Sequence, residues 1–146
     1  MRTQQDPIEI LLVEDSPSDA FITREALKEA PVVNVHLVQD GVEAMAFLRR
    51  EGDYENAPRP DIILLDLNTP RKDGREVLSE IKTDHSLRSI PVIVLTSSSA
   101  ESDIHHAYSL QANCYITKPS DFTHFKEVIR SMENFWFNCV TLPGHD

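Results

Sequence analysis

The stretch IEILLVEDSPSDA, residues 8–20, decides the fold. Ile8–Val13 is a short apolar run rich in β-branched residues, which reads as a strand. It ends on two carboxylates, Glu14 and Asp15. A helix start follows at once, with Ser16 as N-cap, Pro17 in the first turn and Asp19 three residues beyond the cap. Three more runs end on residues able to handle a phosphoryl group: IILL on Asp66, PVIVL on Thr96 and CYIT on Lys118–Pro119. Short runs of this kind separated by helical patterns read as strands of a parallel sheet, whose strand ends open on one edge where ligands bind.

Working outward, the strands are expected at Ile8–Val13, Val33–Val38, Asp61–Leu65, Ile90–Leu95 and Asn113–Thr117. The first helix is expected to reach about Ala30, burying Phe21, Ile22, Ala26 and Leu27. A second opens at Gly41, with Val42, Met45, Ala46, Phe47 and Leu48 inward, and a third spans Gly74–Thr83. Ser98-Ser99-Ala100-Glu101 resembles a capping box opening a fourth helix to about Leu110. Asp121 caps a fifth, running to about Phe137. Five strands alternating with five helices make a doubly wound α/β fold. The expected organisation is a polar tail over residues 1–7, one domain over 8–137 and a C-terminal tail over 138–146. The connection REGDYENAPRP, Arg50–Pro60, exceeds the usual helix–strand link of about 2–6 residues. It reads as a surface insertion, with partner contact as the alternative.

Composition narrows the function. The 146 residues carry 24 acidic against 14 basic side chains, a formal charge of -10, which argues against nucleic-acid binding. The 40% hydrophobic content supports a real core. No stretch approaches the roughly 20 apolar residues that span a bilayer, and the N-terminus lacks a secretory signal. Two cysteines, Cys114 and Cys139, without C-x-x-C spacing suggest neither disulfides nor zinc, so a reducing cytoplasm is the expected home. His105 and His106 point to different sides of their helix and are not expected to bind metal. Four glycines, without a P-loop or G-x-S-x-G, argue against nucleotide cradles and serine hydrolases.

Glu14, Asp15 and Asp66 at adjacent strand ends require a compensating cation. Their hard oxygens suit Mg²⁺, and the backbone carbonyl of Asn68 is a further expected ligand. An acidic pair before a helix is also what the helix dipole favours, so Glu14–Asp15 gains meaning only beside Asp66 and Lys118. Asp66 is the expected nucleophile, forming an aspartyl-phosphate. Lys118 supplies charge to a phosphoryl oxygen, aimed by a sharp junction at Pro119 for which a cis bond is one expectation. The Thr96 hydroxyl is expected to bond a phosphoryl oxygen, a contact worth about 1.5–3 kcal/mol that shifts a two-state equilibrium roughly 10- to 100-fold. As the Thr96 loop moves inward, Tyr115 is the aromatic expected to follow.

The blocks ILLVEDS, IILLDLNTPRKDG, VIVLTSS and YITKP together resemble the signature of a response-regulator receiver domain of two-component signalling. That resemblance covers about residues 8–137. It implies a five-stranded parallel sheet in the order 2-1-3-4-5, Asp66 as phosphoacceptor, Glu14 and Asp15 as the acidic metal pair, Lys118 as the phosphate contact, and Thr96 with Tyr115 as the switch pair. It also implies a histidine-kinase donor. Glu14 stands where many members have Asp. With the Arg50–Pro60 connection, the NFWFNCVTLP tail and no output domain in the sequence, the chain most resembles the small regulators that partner cyanobacterial phytochromes. A bacterial phytochrome is thus the expected kinase, and onward transfer to a histidine phosphotransfer protein is a further possibility.

Phe122, Phe125, Ile129, Met132 and Trp136 recur at helical spacing on the last helix. Core packing accounts for most of this stripe. Its width, with Tyr115 on the neighbouring strand, predicts a homodimer face built from the fourth helix, fifth strand and fifth helix. Two rival readings stay open. DLNT superficially resembles the D-x-D-x-T loop of aspartate-nucleophile phosphatases, although Asn68 replaces the second acid. The other rival is a protein-binding module independent of phosphorylation. No enzyme of ordinary turnover is expected.

Overall fold

A computed structural model of the chain describes residues 7–28 and 33–143. Five strands, β1 (Ile8–Val13), β2 (Val33–Val38), β3 (Ile62–Leu65), β4 (Val92–Thr96) and β5 (Cys114–Thr117), pair in parallel in the order β2-β1-β3-β4-β5. The helices between and after them are α1 (Pro17–Leu27), α2 (Gly41–Arg49), α3 (Gly74–Thr83), α4 (Glu101–Ser109) and α5 (Phe122–Glu133).

Alternation along each strand divides the core into two layers. Leu11, Val13, Ile63, Leu65, Val92 and Val94 face Met45, Phe47, Val77, Leu78, Ile81 and Ala107 of α2, α3 and α4. Ile10, Leu12, Ile62, Leu64, Ile93 and Leu95 face Ala20, Ala26 and Leu27 of α1 and Phe125, Ile129 and Met132 of α5. Both faces of β3 are covered, so all four of its residues are buried. This explains why the sequence there is continuously apolar rather than alternating.

Side-chain caps fix where the helices begin. Ser16, Asp40, Asp73 and Asp121 accept from the backbone N–H of Asp19, Glu43, Arg75 and His124 in turn. At α4 the expected capping box is absent: Ala100 holds the N-cap position without a side-chain bond. Ser98 instead turns its hydroxyl to Asp103, 2.6 Å away.

Other expectations are corrected. Phe21 and Val42 are exposed, because the inward stripe of α1 runs through Ala20, Thr23, Ala26 and Leu27 and that of α2 through Ala44, Met45, Phe47 and Leu48. The residues 29–30 expected to extend α1 lie outside the described residues. Helix α5 ends at Glu133 and continues as a wider π-helical turn over Asn134–Cys139. No described peptide bond is cis, so Lys118–Pro119 is trans. The Arg50–Pro60 connection lies at the surface, as expected, with Tyr54 and Ala57 packed against the core. Tyr54 sits in a short 3-10 turn, Gly52–Tyr54, its ring 5.5 Å from that of Phe47. Arg59 donates to the Ser86 carbonyl at 2.6 Å and to Ser89 Oγ at 3.2 Å.

Two glycines let the loop after β3 lie flat. A Cβ at Gly74 would fall 2.4 Å from the Asp66 carbonyl oxygen, and one at Gly41 would fall 2.1 Å from that of Lys72. Neither position tolerates a side chain without backbone movement.

Candidate functional site

Each residue at the C-terminal edge is fixed by a ladder bond carried one step past its strand. Glu14 N–H donates to the Val38 carbonyl at 3.0 Å, Asp66 N–H to Val13 at 3.1 Å and Lys118 N–H to Thr96 at 2.7 Å. The parallel register therefore sets these side chains at one edge before any side-chain contact is counted.

There they meet. Lys118 Nζ donates to Glu14 Oε1 at 2.5 Å, to Asp19 Oδ2 at 2.9 Å and to Asp66 Oδ2 at 3.0 Å. The other Asp66 oxygen, Oδ1, accepts the Asn68 backbone N–H at 3.0 Å. Asp19 is the member that sequence reading missed: it registers there only as first-turn acid of a helix. Its turn toward Lys118 depends on how α1 docks against the sheet, which no local pattern reports.

One ammonium faces three carboxylates in a nearly closed site, and the protonation states respond. Burial pushes the Glu14 carboxyl up to about 7, only partly opposed by Lys118, and the neighbouring charge of Asp66 adds to the rise. Burial also acts upward on Asp66, yet the Asn68 N–H and Lys118 outweigh it and hold this carboxyl below its ordinary value. For Lys118 burial acts downward, but Glu14 and Asp19 together raise it above the usual lysine range. The Asp66 carboxyl is thus held in its anionic form, while Glu14 is poised to hold or release a proton.

Glu14, Asp15 and Asp66 each offer an oxygen, all within 4.8 Å of one another. Glu14 and Asp66 are buried and Asp15 is exposed, so the cluster opens to solvent on one side. Three hard oxygens with an open side fit a divalent cation that keeps part of its water shell. The excess of carboxylates over the lysine supplies the attraction.

Thr96 closes β4 and is fully buried, and its Oγ1 has no hydrogen-bond partner among the described residues. A buried hydroxyl left unpaired costs about 1–3 kcal/mol. Tyr115 is half-buried against the α2–α4 layer, and its hydroxyl donates to the Ser98 carbonyl at 2.8 Å. The β4–β5 register sets Tyr115 opposite Val94, so it reaches the loop after Thr96 through its phenol rather than through the ladder.

The expected α5 stripe divides in two. Phe125, Ile129 and Met132 are buried in the core, while Phe122 is 51% exposed and Trp136 half-buried. Phe135 and Trp136 line a groove of about 410 Å³ with Cys114, Ile116, His124 and Val128. This groove does not include the acidic cluster.

Comparison with known proteins bears on the whole chain. The model of the response regulator receiver domain matches residues 10–130. The response regulator Rcp1 of Synechocystis sp. is 49% identical over 139 residues, covering 94% of this chain and 95% of Rcp1. A crystal structure of the Mn²⁺-bound form of Rcp1 superposes with a TM-score of 0.92 at 48% identity, covering 94% of this chain and all of that one. The phosphorylated cyanobacterial phytochrome response regulator RcpA superposes with a TM-score of 0.93 at 51% identity, covering 95% of this chain and all of that one. With the sheet order and the lysine–carboxylate cluster already in place, these matches establish that the chain belongs to the response regulator receiver domain family.

Proposed function

We propose that this protein is a signalling phosphoacceptor: Asp66 receives a phosphoryl group from a phosphohistidine on a sensor histidine kinase, and the modified domain signals through a changed surface. The observation that carries this reading is the contact of Lys118 with both Asp66 and Glu14. A permanently charged donor thereby stands beside an anionic carboxylate in an otherwise acidic pocket.

In the transfer, an Asp66 carboxylate oxygen forms a bond to phosphorus as the P–N bond to the donor imidazole breaks, and the imidazole keeps the electron pair. Catalysis of such a loose transfer is mostly positioning and charge neutralisation. The Asn68 N–H orients the Asp66 carboxylate, Lys118 donates to a phosphoryl oxygen, and the buried Thr96 hydroxyl gains the partner it lacks. Glu14, Asp15 and Asp66, with the Asn68 carbonyl, would hold Mg²⁺, which when bound neutralises charge on the transferring group. The manganese-bound form of Rcp1 and the phosphorylated form of RcpA support a metal-dependent phosphoacceptor here. RcpA, a cyanobacterial phytochrome response regulator, supports a phytochrome as the kinase.

The protein is read as a switch and not as a turnover catalyst. Its Asn68 supplies a backbone N–H to Asp66, where a phosphatase of the D-x-D type would need a second acid. Among the described residues no helix is long and apolar enough to cross a membrane, and we place the protein in the cytoplasm, with a histidine phosphotransfer protein as one onward acceptor. We further propose a homodimer through α4, β5 and α5. Exposed Phe122 and Phe135, with Trp136 and the groove beside it, are its apolar elements, and Tyr115 links that face to the phosphorylation site.

The test is to expose the protein to acetyl phosphate with Mg²⁺ and weigh it intact. One added phosphate, lost in Asp66→Asn or on chelation, is the expected result. Catalytic release of inorganic phosphate without a stable adduct would make it a phosphatase; no reaction would make it a binding module. Sedimentation of both forms tests the dimer, which a monomeric phosphorylated protein at micromolar concentration would refute.

A further inference from the structure

A continuous chain of polar contacts leads from α3 through α4 to the loop that follows Thr96. Arg75, in the first turn of α3, donates Nη2 to Asp103 Oδ1 at 2.9 Å and is itself steadied by its cap residue Asp73 at 3.1 Å. The other Asp103 oxygen accepts the Ser98 hydroxyl at 2.6 Å. Ser98 Oγ in turn accepts the Ala100 N–H at 3.3 Å, and the Ser98 carbonyl accepts the Tyr115 hydroxyl. Ser98 is thus gripped from both sides two residues beyond Thr96.

This grip has an energetic consequence. In the same arrangement the Thr96 hydroxyl, at the end of β4, is buried with no partner among the described residues, an unfavourable condition that movement at this strand end would relieve by turning the hydroxyl out. The β4–β5 ladder holds the Thr96 backbone against that tendency, its carbonyl accepting the Lys118 N–H at 2.7 Å, and the contacts to Ser98 hold the loop that follows. We infer that Arg75 and Asp103 are positioning residues: through Ser98 they hold the Thr96 loop, before phosphorylation, in the geometry that receives the phosphoryl group. Neither residue touches the reacting atoms. Their effect reaches the site as a larger fraction of molecules already competent to bind, so the apparent affinity for a phosphoryl group rises in proportion. The inference rests on the phosphoacceptor reading of Asp66 and extends it.

The test uses beryllofluoride, a non-covalent stand-in for the phosphoryl group, and Mg²⁺, each titrated calorimetrically into the full chain. Arg75→Gln and Asp103→Asn are expected to weaken beryllofluoride binding about threefold to fivefold, the scale of a partly exposed ion pair. Their affinity for Mg²⁺ alone stays at the wild-type value, since Glu14, Asp15 and Asp66 are untouched. In a Thr96→Ala background the same changes have no further effect, a non-additivity that general loss of stability would not produce. Asp103→Glu, which keeps the charge, recovers part of the affinity. Unaltered beryllofluoride affinity in both variants, an equal loss of Mg²⁺ affinity, or a loss that persists without the Thr96 hydroxyl would each overturn the role of Arg75 and Asp103 while leaving Asp66 as acceptor. Failure of the wild-type protein to bind beryllofluoride would overturn both readings together.

Discussion

Lys118 Nζ lies 3.0 Å from Asp66 Oδ2, although 52 residues separate the two in sequence. That one contact joins the last strand to the central one and places a fixed positive charge beside the proposed nucleophile. It also ties stability to function, because the lysine is shared with Glu14 and Asp19.

Replacing Lys118 with Ala leaves three carboxylates crowded around an uncharged methyl group. Removing one partner from a buried ion cluster costs about 3–5 kcal/mol. Urea unfolding in a chelator should show a loss toward the lower end, since Glu14 escapes part of the penalty by protonating. Saturating Mg²⁺ should raise the midpoint of the variant more than that of the wild type. Equal gains would mean that the lysine and the metal do not offset the same charge.

The pH dependence of metal-free stability should carry the mark of Glu14. Its carboxyl holds a proton more tightly folded, at about 7, than at its ordinary 4.5. The stabilisation from that group is fully present below the ordinary value and is lost as pH rises through about 7. Asp66 acts in the opposite sense: its lowered value gives stability above the ordinary carboxylate range that is lost in acid. Unfolding midpoints between about pH 5 and about pH 8 should therefore decline in the wild type and run flatter in Glu14→Gln. Parallel curves would remove Glu14 from the account.

Thr96→Val separates folding from signalling. Valine has nearly the same shape and no hydroxyl to leave unpaired, so the unmodified protein should gain about 1 kcal/mol in denaturant unfolding. The same change should weaken the coupling between phosphorylation and the environment of Tyr115, read by the NMR shift of its ring. A destabilised Thr96→Val protein would show that the hydroxyl already has a bonding partner.

Gly74→Ala probes the floor beneath the proposed phosphoacceptor. The added Cβ would meet the Asp66 carbonyl at 2.4 Å and the Leu67 Cα at 2.6 Å, both backbone atoms that cannot rotate away. Overpacking of this kind costs roughly 1–3 kcal/mol. Because the strain falls on Asp66 itself, the rate of mass gain from acetyl phosphate should drop along with the melting temperature. A stable variant with unchanged labelling would mean that the loop relaxes freely.

The sequence made the strands and the edge residues legible because both are local. An apolar run ending on Asp66 or Lys118 is visible without knowing its neighbours, and caps such as Ser16 and Asp121 mark helix starts from side-chain chemistry alone. What escaped depends on tertiary phase. Phe21 and Val42 are apolar residues that the actual rotation of α1 and α2 turns outward. Asp19 looked like a cap-region acid because its contact to Lys118 arises only when α1 packs beside α5 on one face of the sheet. Ser98 fits a capping pattern, yet Asp103 offered its hydroxyl a charged acceptor, which makes the stronger bond. The packing of Tyr54 against Phe47 was hidden for the same reason: a charged, proline-rich segment reads as surface insertion, and nothing local shows which of its side chains turns inward.

Glu14 and Lys118 contact each other across 104 positions of sequence, and β5 attaches to the sheet through β4 alone. Translation delivers β1 early and the lysine late. A ribosome-bound precursor stalled before the fifth strand would own every acid of the pocket and none of its cation. Mutual repulsion among those acids would keep the nascent pocket splayed. On the proposed function, such a precursor would be deaf to its donor, and competence to be phosphorylated would arrive as a late event in the birth of the chain.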